Sequence, residues 1–435
     1  MLKKFSQKNN KKVGIWICIA LVVGNMIGSG IFLLPASLAP YGGVSILGWG
    51  VTTLGALMTA LVFVRLSRKF PRQGGPYRYA FDNISPLAGF SVAWSYWVSI
   101  WCGNAAISVA AVTYLGFFFP QLSANPSLSV VVTLSILWSI TYLNTRGVKQ
   151  VGIFQLVATI LKLLPIVAIG IMCFLVFEPK SFQPFNLSQQ PLASSIVATA
   201  ALTLWAFLGL ESATIPADNV ENPQSTIPRA TIIGVIVVAV VYLTSQITIM
   251  SVVDNKALQV SGAPFADAAV ILWGEWAGNF IAAGAVISCL GALNGWVLLQ
   301  GQVPMSAARD KLLPRFFSDR NGDGLSIGAL IFSSVIISIL ISANYTDGMV
   351  SLYTFAILVS TLGIFIPYLL SIFVDLKMLF KHWRQQQDYW SVITSVFALV
   401  YCLWAISGIG AKATLWGVVL IASGLPVYWY MTRKK

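Results

Sequence analysis

Long apolar runs, each close to the thickness of a bilayer, follow one another from residue 13 to residue 431. They cover 13–38, 44–64, 84–118, 127–143, 150–176, 192–217, 228–252, 277–303, 326–343, 349–374, 389–408 and 413–431. Helices of about 20 apolar residues cross the hydrocarbon core, so the pattern predicts an all-α polytopic membrane protein with about twelve transmembrane helices. The strands of a β-barrel would need only about 9–11 alternating residues, and these runs are too long. The run 84–118 has the length to tilt or to include an interfacial turn. RLSRKFPRQGGPYRYAF, from Arg65 to Phe81, is too polar to span; it reads as a loop leading into an amphipathic helix start. The whole of 1–435 reads as one transmembrane domain.

Composition agrees. The chain is 57% apolar and 9% charged, where a soluble domain is about 25% charged. Its 15 Trp and 35 Gly suit membrane interfaces and transmembrane helices. The net charge of +13 is not gathered into a stripe of the kind that binds nucleic acid. It lies in short clusters between the runs. With twelve spans, 23 of the 27 Lys and Arg fall at the two ends and near 65–78, 146–149, 229, 309–320 and 377–384, all on one face. The opposite face holds only Lys180, Lys256 and Lys412, and Lys162 lies within a span. Basic loops stay in the cytoplasm, so both termini are expected there. Residues 1–12 precede the first run without a small-residue cleavage signal, which predicts an uncleaved first helix. The five cysteines, Cys18, Cys102, Cys173, Cys289 and Cys402, are scattered through apolar runs, with neither disulfide nor metal spacing. His382, in KHWRQQQ, reads as an interfacial loop residue. No metal or cofactor is expected.

Two runs are interrupted. The first reads VVGNMIGSGIFLLP, with Gly24, Gly28, Ser29, Gly30 and Pro35; the sixth reads LTLWAFLGLESATIPADN, with Gly209, Glu211, Ser212 and Pro216. Either the small residues of the first are a helix-packing surface, or both spans leave helical geometry where a solute takes up the freed backbone groups. Matched interruptions five spans apart favour the second reading, a transporter built on an internal repeat. The halves would be about 13–176 and 192–374, with added helices at 389–431. At such a break the helix resuming near Gly30 aims N–H groups and partial positive charge inward, where a carboxylate fits. Carbonyls at the opposing helix ends would accept from an ammonium group.

Charges inside spans are rare and costly. Glu211, beside the second break, is a candidate for proton coupling or for sensing a cation. Lys162, in ATILKLLP, is either a tether for the first break or a proton-coupling group. Trp205 and Trp296 sit among small or amide residues, and either packs in the bundle or holds a cation on its π face. Asn104, in YWVSIWCGNAA, bonds either to substrate or to another helix.

The segments GNMIGSGIFLLPASLAPYGG, FPRQGGPYRYA, YWVSIWCGNAA, TLWAFLGLESA, ENPQSTIPRA, APFADAA, GALNGWVLLQGQ and VSTLGIFIPYLLS resemble the amino acid–polyamine–organocation superfamily over roughly residues 12–430. The likeness is strongest to its basic amino acid/polyamine branch, the bacterial exchangers of arginine with agmatine and of putrescine with ornithine. It implies a five-plus-five inverted repeat with two added helices, often as a homodimer in the bacterial inner membrane. It implies substrate contact at Asn25, Ile27, Gly28, Ser29, Gly30, Ser99, Asn104, Trp205, Trp296 and Ser360. Gating falls to Tyr96, as an outer gate, and to Trp205 closing from the periplasmic side; the proton response falls to Glu211. Two departures count against arginine/agmatine specificity. Ser99 and Ile100 are unlike that exchanger, and Lys162 is similar instead to the fifth-helix lysine of sodium-independent, proton-coupled carriers.

The leading expectation is exchange of a cationic amino acid for another amino acid or its decarboxylated amine. Proton-coupled import of a neutral or cationic amino acid is the runner-up. A sensor built on a transporter fold is a third, disfavoured because no cytoplasmic domain is appended. An enzyme is disfavoured because one buried carboxylate and one buried amine make no catalytic constellation.

Overall fold

The computed structural model describes residues 14–70, 74–145, 148–214, 220–318, 326–344, 349–381 and 388–433. The readings of Pro216, of His382 and of the basic residues within 1–13, 71–73, 146–147, 319–325, 382–387 and 434–435 lie outside them. The described elements are helical: α1 (Ile15–Met26), α2 (Ser29–Leu38), α3 (Val44–Lys69), α4 (Pro76–Asn83), α5 (Pro86–Leu115), α6 (Pro120–Ala124), α7 (Pro126–Thr145), α8 (Val148–Val176), α9 (Leu192–Leu204), α10 (Pro223–Val252), α11 (Asn255–Val260), α12 (Pro264–Trp273), α13 (Glu275–Arg309), α14 (Ile327–Asn344), α15 (Met349–Lys381), α16 (Tyr389–Ile406), α17 (Ala411–Ala422) and α18 (Gly424–Arg433). Proline opens six of them, where its missing N–H costs no intrahelical bond.

Among the described residues, 9 helices are long and apolar enough to cross a membrane, counting α1 with α2 and α17 with α18 as one each. Three shorter apolar helices, Lys162–Val176, Leu192–Phe207 and Ile327–Ala343, bring the spans to the expected twelve. Pro264–Trp273 is too short to cross and leads into span 8.

Span 3 needs no interfacial turn, because α5 runs unbroken over 30 residues. At about 1.5 Å per residue it is longer than the hydrocarbon core is thick, and it is the axis of the bundle. It packs against α13 and α15 most extensively. Span 12 is interrupted in a way the sequence pattern did not announce. The Trp94 indole N–H of α5 and the Ser423 hydroxyl both donate to the Leu420 carbonyl, at 3.0 and 2.6 Å, and α17 stops there. The ring of Trp94 fits because a Cβ on Gly424 would stand 2.5 Å from it.

Helix pairing has an internal order. Span 3 packs on span 10 and span 8 on span 5; span 2 on span 6 and span 7 on span 1; span 3 on span 9 and span 8 on span 4. Spans 2 and 7, 3 and 8, and 4 and 9 also pair. Moving the partners in these pairs five places along the chain returns the same pairs.

On the basic face, polar contacts tie the helix ends together. Arg65 of α3 forms an ion pair with the buried Asp375 of α15 at 2.7 Å and bonds to Thr394 and Ser395 of α16. The α4 helix, turned by Gly74 and Gly75 at positive φ, lays Tyr77 and Arg78 against Asp310 at the end of α13. Burial first, and then the Asp310 carboxylate, push the Tyr77 hydroxyl above its ordinary range, so it stays a donor.

Candidate functional site

Both interrupted spans depart from helix where the sequence placed the breaks. In span 1, α1 ends at Met26, Ile27 is extended, and α2 begins at Ser29 after Gly28. In span 6, α9 gives way to a 3₁₀ turn at Trp205–Phe207, Leu208 is extended and Gly209 takes φ +103. The two breaks touch. A Cβ on Gly209 would stand 3.2 Å from the Asn25 Cβ, so glycine is needed here for its left-handed backbone and for its lack of a side chain.

Freed carbonyls cannot stay unpaired in an apolar interior. Lys162 of α8, wholly buried, donates its Nζ to the carbonyls of Gly24 and Ile27. Its ammonium thus sits at the negative end of the α1 dipole. The Tyr242 hydroxyl of α10 lies within bonding distance of both breaks, 2.6 Å from the Met26 carbonyl and 3.2 Å from that of Ala206. Tyr114 donates to the Phe32 carbonyl at 2.9 Å. The carbonyls of Gly24, Met26 and Ile27 therefore already carry protein donors.

The start of α2 is different. Ser29 is buried and its hydroxyl has no hydrogen-bond partner. It lines a narrow central cavity with Asn25, Met26, Gly28, Gly30, Ile107, Trp205, Leu208 and Trp296. The cavity measures about 10 Å³, room for a single water. Admitting an amino acid requires one of the two indoles to move. Trp205 is fitted between two glycines: a Cβ on Gly30 would stand 3.3 Å from its ring, and one on Gly103 only 2.8 Å.

Six of the ten substrate-binding candidates meet in that cavity. Ile27 faces Lys162 through its carbonyl and is not in the lining. Ser99 and Ser360 bond to each other at 2.9 Å, next to Gly103, joining spans 3 and 10. Asn104 bonds to another helix: its Nδ2 donates to Gln300 Oε1 of α13 at 2.7 Å.

Glu211 is wholly buried and accepts from the hydroxyls of Tyr96 of α5, at 2.6 Å, and Tyr368 of α15, at 2.9 Å. Tyr96 precedes Asn104 and Ile107 on a helix that starts at the basic face. It therefore stands on the basic side of the cavity. A wide vestibule of about 870 Å³ opens at the other face, lined by Ser37, Tyr41, Gln259, Thr354 and Lys412 among others. Its inner lining reaches Leu202 and Leu358, and Trp205 stands within one turn of Leu202, between vestibule and cavity.

Sequence reading missed Tyr242, Tyr368 and Gln300. Each is a polar side chain inside an apolar span, and a buried Tyr hydroxyl seeks an acceptor, which is the signal that was available for the two tyrosines.

A family model of amino acid permeases matches residues 13–432. The chain is similar to a cadaverine/lysine antiporter of Escherichia coli (strain K12), 34% identical over 404 residues that cover 92% of this chain and 90% of the relative. It is similar to an arginine/ornithine antiporter of Pseudomonas aeruginosa, 31% identical with 96% and 90% covered. It is also similar to the putrescine transporter PotE of Haemophilus influenzae, 30% identical with 99% of each covered.

Proposed function

This chain belongs to the amino acid permease family, and on that premise we propose that it is an antiporter exchanging a cationic amino acid, of the lysine, arginine or ornithine class, for another amino acid or its decarboxylated amine. The observation that carries the reading is the unpaired Ser29 hydroxyl at the start of α2, facing a cavity walled by Trp205 and Trp296. A carboxylate fits the N–H groups and hydroxyl there. The indole faces suit a cationic or aliphatic chain. The names of the relatives, antiporters of lysine with cadaverine and of arginine with ornithine, support the same substrate class.

Alternating access follows from the two barriers. Trp205 closes the cavity toward the vestibule. On the basic side, Glu211 clasped by Tyr96 and Tyr368 is backed by the contacts of Arg65 with Asp375 and of Tyr77 with Asp310. Opening one while holding the other carries a solute across. Protonation of Glu211 loosens its clasp on the tyrosines, which is the proposed proton response.

Further parts of the reading rest on pattern. The pairing order supports two repeats, 13–176 and 192–374, inverted because five spans return the chain to the opposite face. The basic bias supports cytoplasmic termini in a bacterial inner membrane, and the exposed apolar faces of spans 11 and 12 are compatible with a homodimer. A second reading, proton-coupled import of an amino acid, is favoured by one observation, the bond of Lys162 to the first break.

Competition binding to the purified protein tests the substrate class, using lysine, arginine, ornithine, agmatine, cadaverine, putrescine and neutral amino acids. Displacement by cationic amino acids and their amines supports the exchange reading. Displacement by neutral amino acids alone removes it.

A further inference from the structure

Asn104 and Gln300 are both wholly buried, each one turn from the cavity wall: Ile107 follows Asn104 on α5 and Trp296 precedes Gln300 on α13. The pair forms the layer under that wall on its basic side. An amide can point either its oxygen or its nitrogen at a partner, so the sense of each must be deduced from the bonding around it. Here one group decides. Gln300 Nε2 lies 3.2 Å from the Leu330 carbonyl of α14, and a backbone carbonyl only accepts. The nitrogen of Gln300 must therefore face Leu330. The Ser334 hydroxyl, 2.9 Å from the same nitrogen, can donate or accept and does not oppose this.

It follows that Gln300 turns its oxygen to Asn104, 2.7 Å away. Asn104 must answer with its nitrogen, since two carbonyl oxygens at that distance would repel. What remains is Asn104 Oδ1, buried and without a hydrogen-bond partner. An unmade hydrogen bond of this kind is costly, and this one lies one turn from Ile107 of the cavity wall.

We propose that Gln300 is a positioning residue for substrate selectivity: relayed from the Leu330 carbonyl, its amide fixes Asn104 with the oxygen free, so that the deep end of the site accepts a cationic side-chain terminus. The inference rests on the proposed function, since it concerns the far end of an amino acid whose carboxylate is held at Ser29. Without Gln300 the Asn104 amide can rotate and offer either end, and a neutral side chain loses less against a charged one.

The test is binding of L-lysine and of L-norleucine, which lacks only the terminal ammonium group, to the purified full chain and two variants. Gln300→Met keeps the volume and removes both amide functions. Gln300→Glu keeps an acceptor for Asn104 Nδ2. The preference for lysine is expected to fall about tenfold in Gln300→Met and to survive in Gln300→Glu. A merely structural role would weaken both ligands together, and that result, or an unchanged preference in Gln300→Met, overturns the inference while leaving the functional reading intact. Should Gln300→Met not fold, Gln300→Leu takes its place, because it too removes both amide functions, and an unchanged preference there overturns the inference. A parental protein that binds norleucine as well as lysine overturns both the functional reading and this one.

Discussion

The ammonium group of Lys162 donates to the carbonyl of Ile27, at the point where the first span stops being a helix. The same group reaches Gly24 one turn earlier, so one side chain from span 5 holds the frayed end of α1. Lys162→Met keeps the length and removes the donor. It leaves two buried acceptors unpaired at a cost of about 1–3 kcal/mol each. Thermal melting in detergent is expected to fall and uptake into proteoliposomes to drop at least tenfold, by the same magnitude. A variant that melts and transports like its parent would show that the tether is dispensable.

Trp205 and Trp296 both wall the cavity, yet they have different tasks. Trp296 lies on the unbroken α13, whereas Trp205 begins the 3₁₀ turn at the break of span 6 and stands beneath the vestibule. Interaction of an indole with a desolvated cation is worth roughly 1–2 kcal/mol, so Trp296→Ala should weaken substrate affinity about five- to thirtyfold. Trp205→Ala should mainly slow turnover. Equal affinity losses with unchanged turnover in both variants would remove the gating role.

Ser29 offers a cleaner comparison, because its hydroxyl bonds to nothing in the protein. Ser29→Ala should leave melting unchanged. It should weaken binding of an amino acid about ten- to a hundredfold, the value of one hydrogen bond to a charged group. A diamine carries no carboxylate, so cadaverine affinity should not move. If both ligands weaken alike, the carboxylate is held elsewhere.

Glu211 is the carboxylate nearest the breaks, and its two tyrosine donors come from spans 3 and 10. Charge on Glu211 tightens both bonds and neutrality loosens them. Glu211→Gln should flatten the pH dependence of flux, and Glu211→Asp, one methylene shorter, should retain part of it. The comparison with Lys162→Ala is decisive: a parental profile in Glu211→Gln with loss of pH dependence in Lys162→Ala assigns the proton to the lysine.

The sequence carried the twelve spans, both breaks and the cavity residues at Gly28, Ser29, Gly30, Trp205 and Trp296, because length, apolarity and glycine density are local properties. It did not carry which groups satisfy which. The hydroxyl of Tyr242 meets two carbonyls from breaks 180 residues apart in the chain, and no local pattern marks such a meeting. The bond of Tyr96 to Glu211 is hidden for the same reason, since it forms only once spans 3, 6 and 10 pack. Asn104 was left open between substrate and helix. Its two ends do different things, the nitrogen bonding to α13 and the oxygen to nothing.

Exchange itself is measured most directly by counterflow. Proteoliposomes loaded with cadaverine, and a matched set loaded with buffer alone, are presented with radiolabelled lysine at equal pH on both sides. The account predicts that internal cadaverine accelerates lysine entry many-fold and that a proton gradient cannot replace it. Entry that is indifferent to internal cadaverine and driven by the proton gradient would contradict antiport and leave a proton-coupled importer.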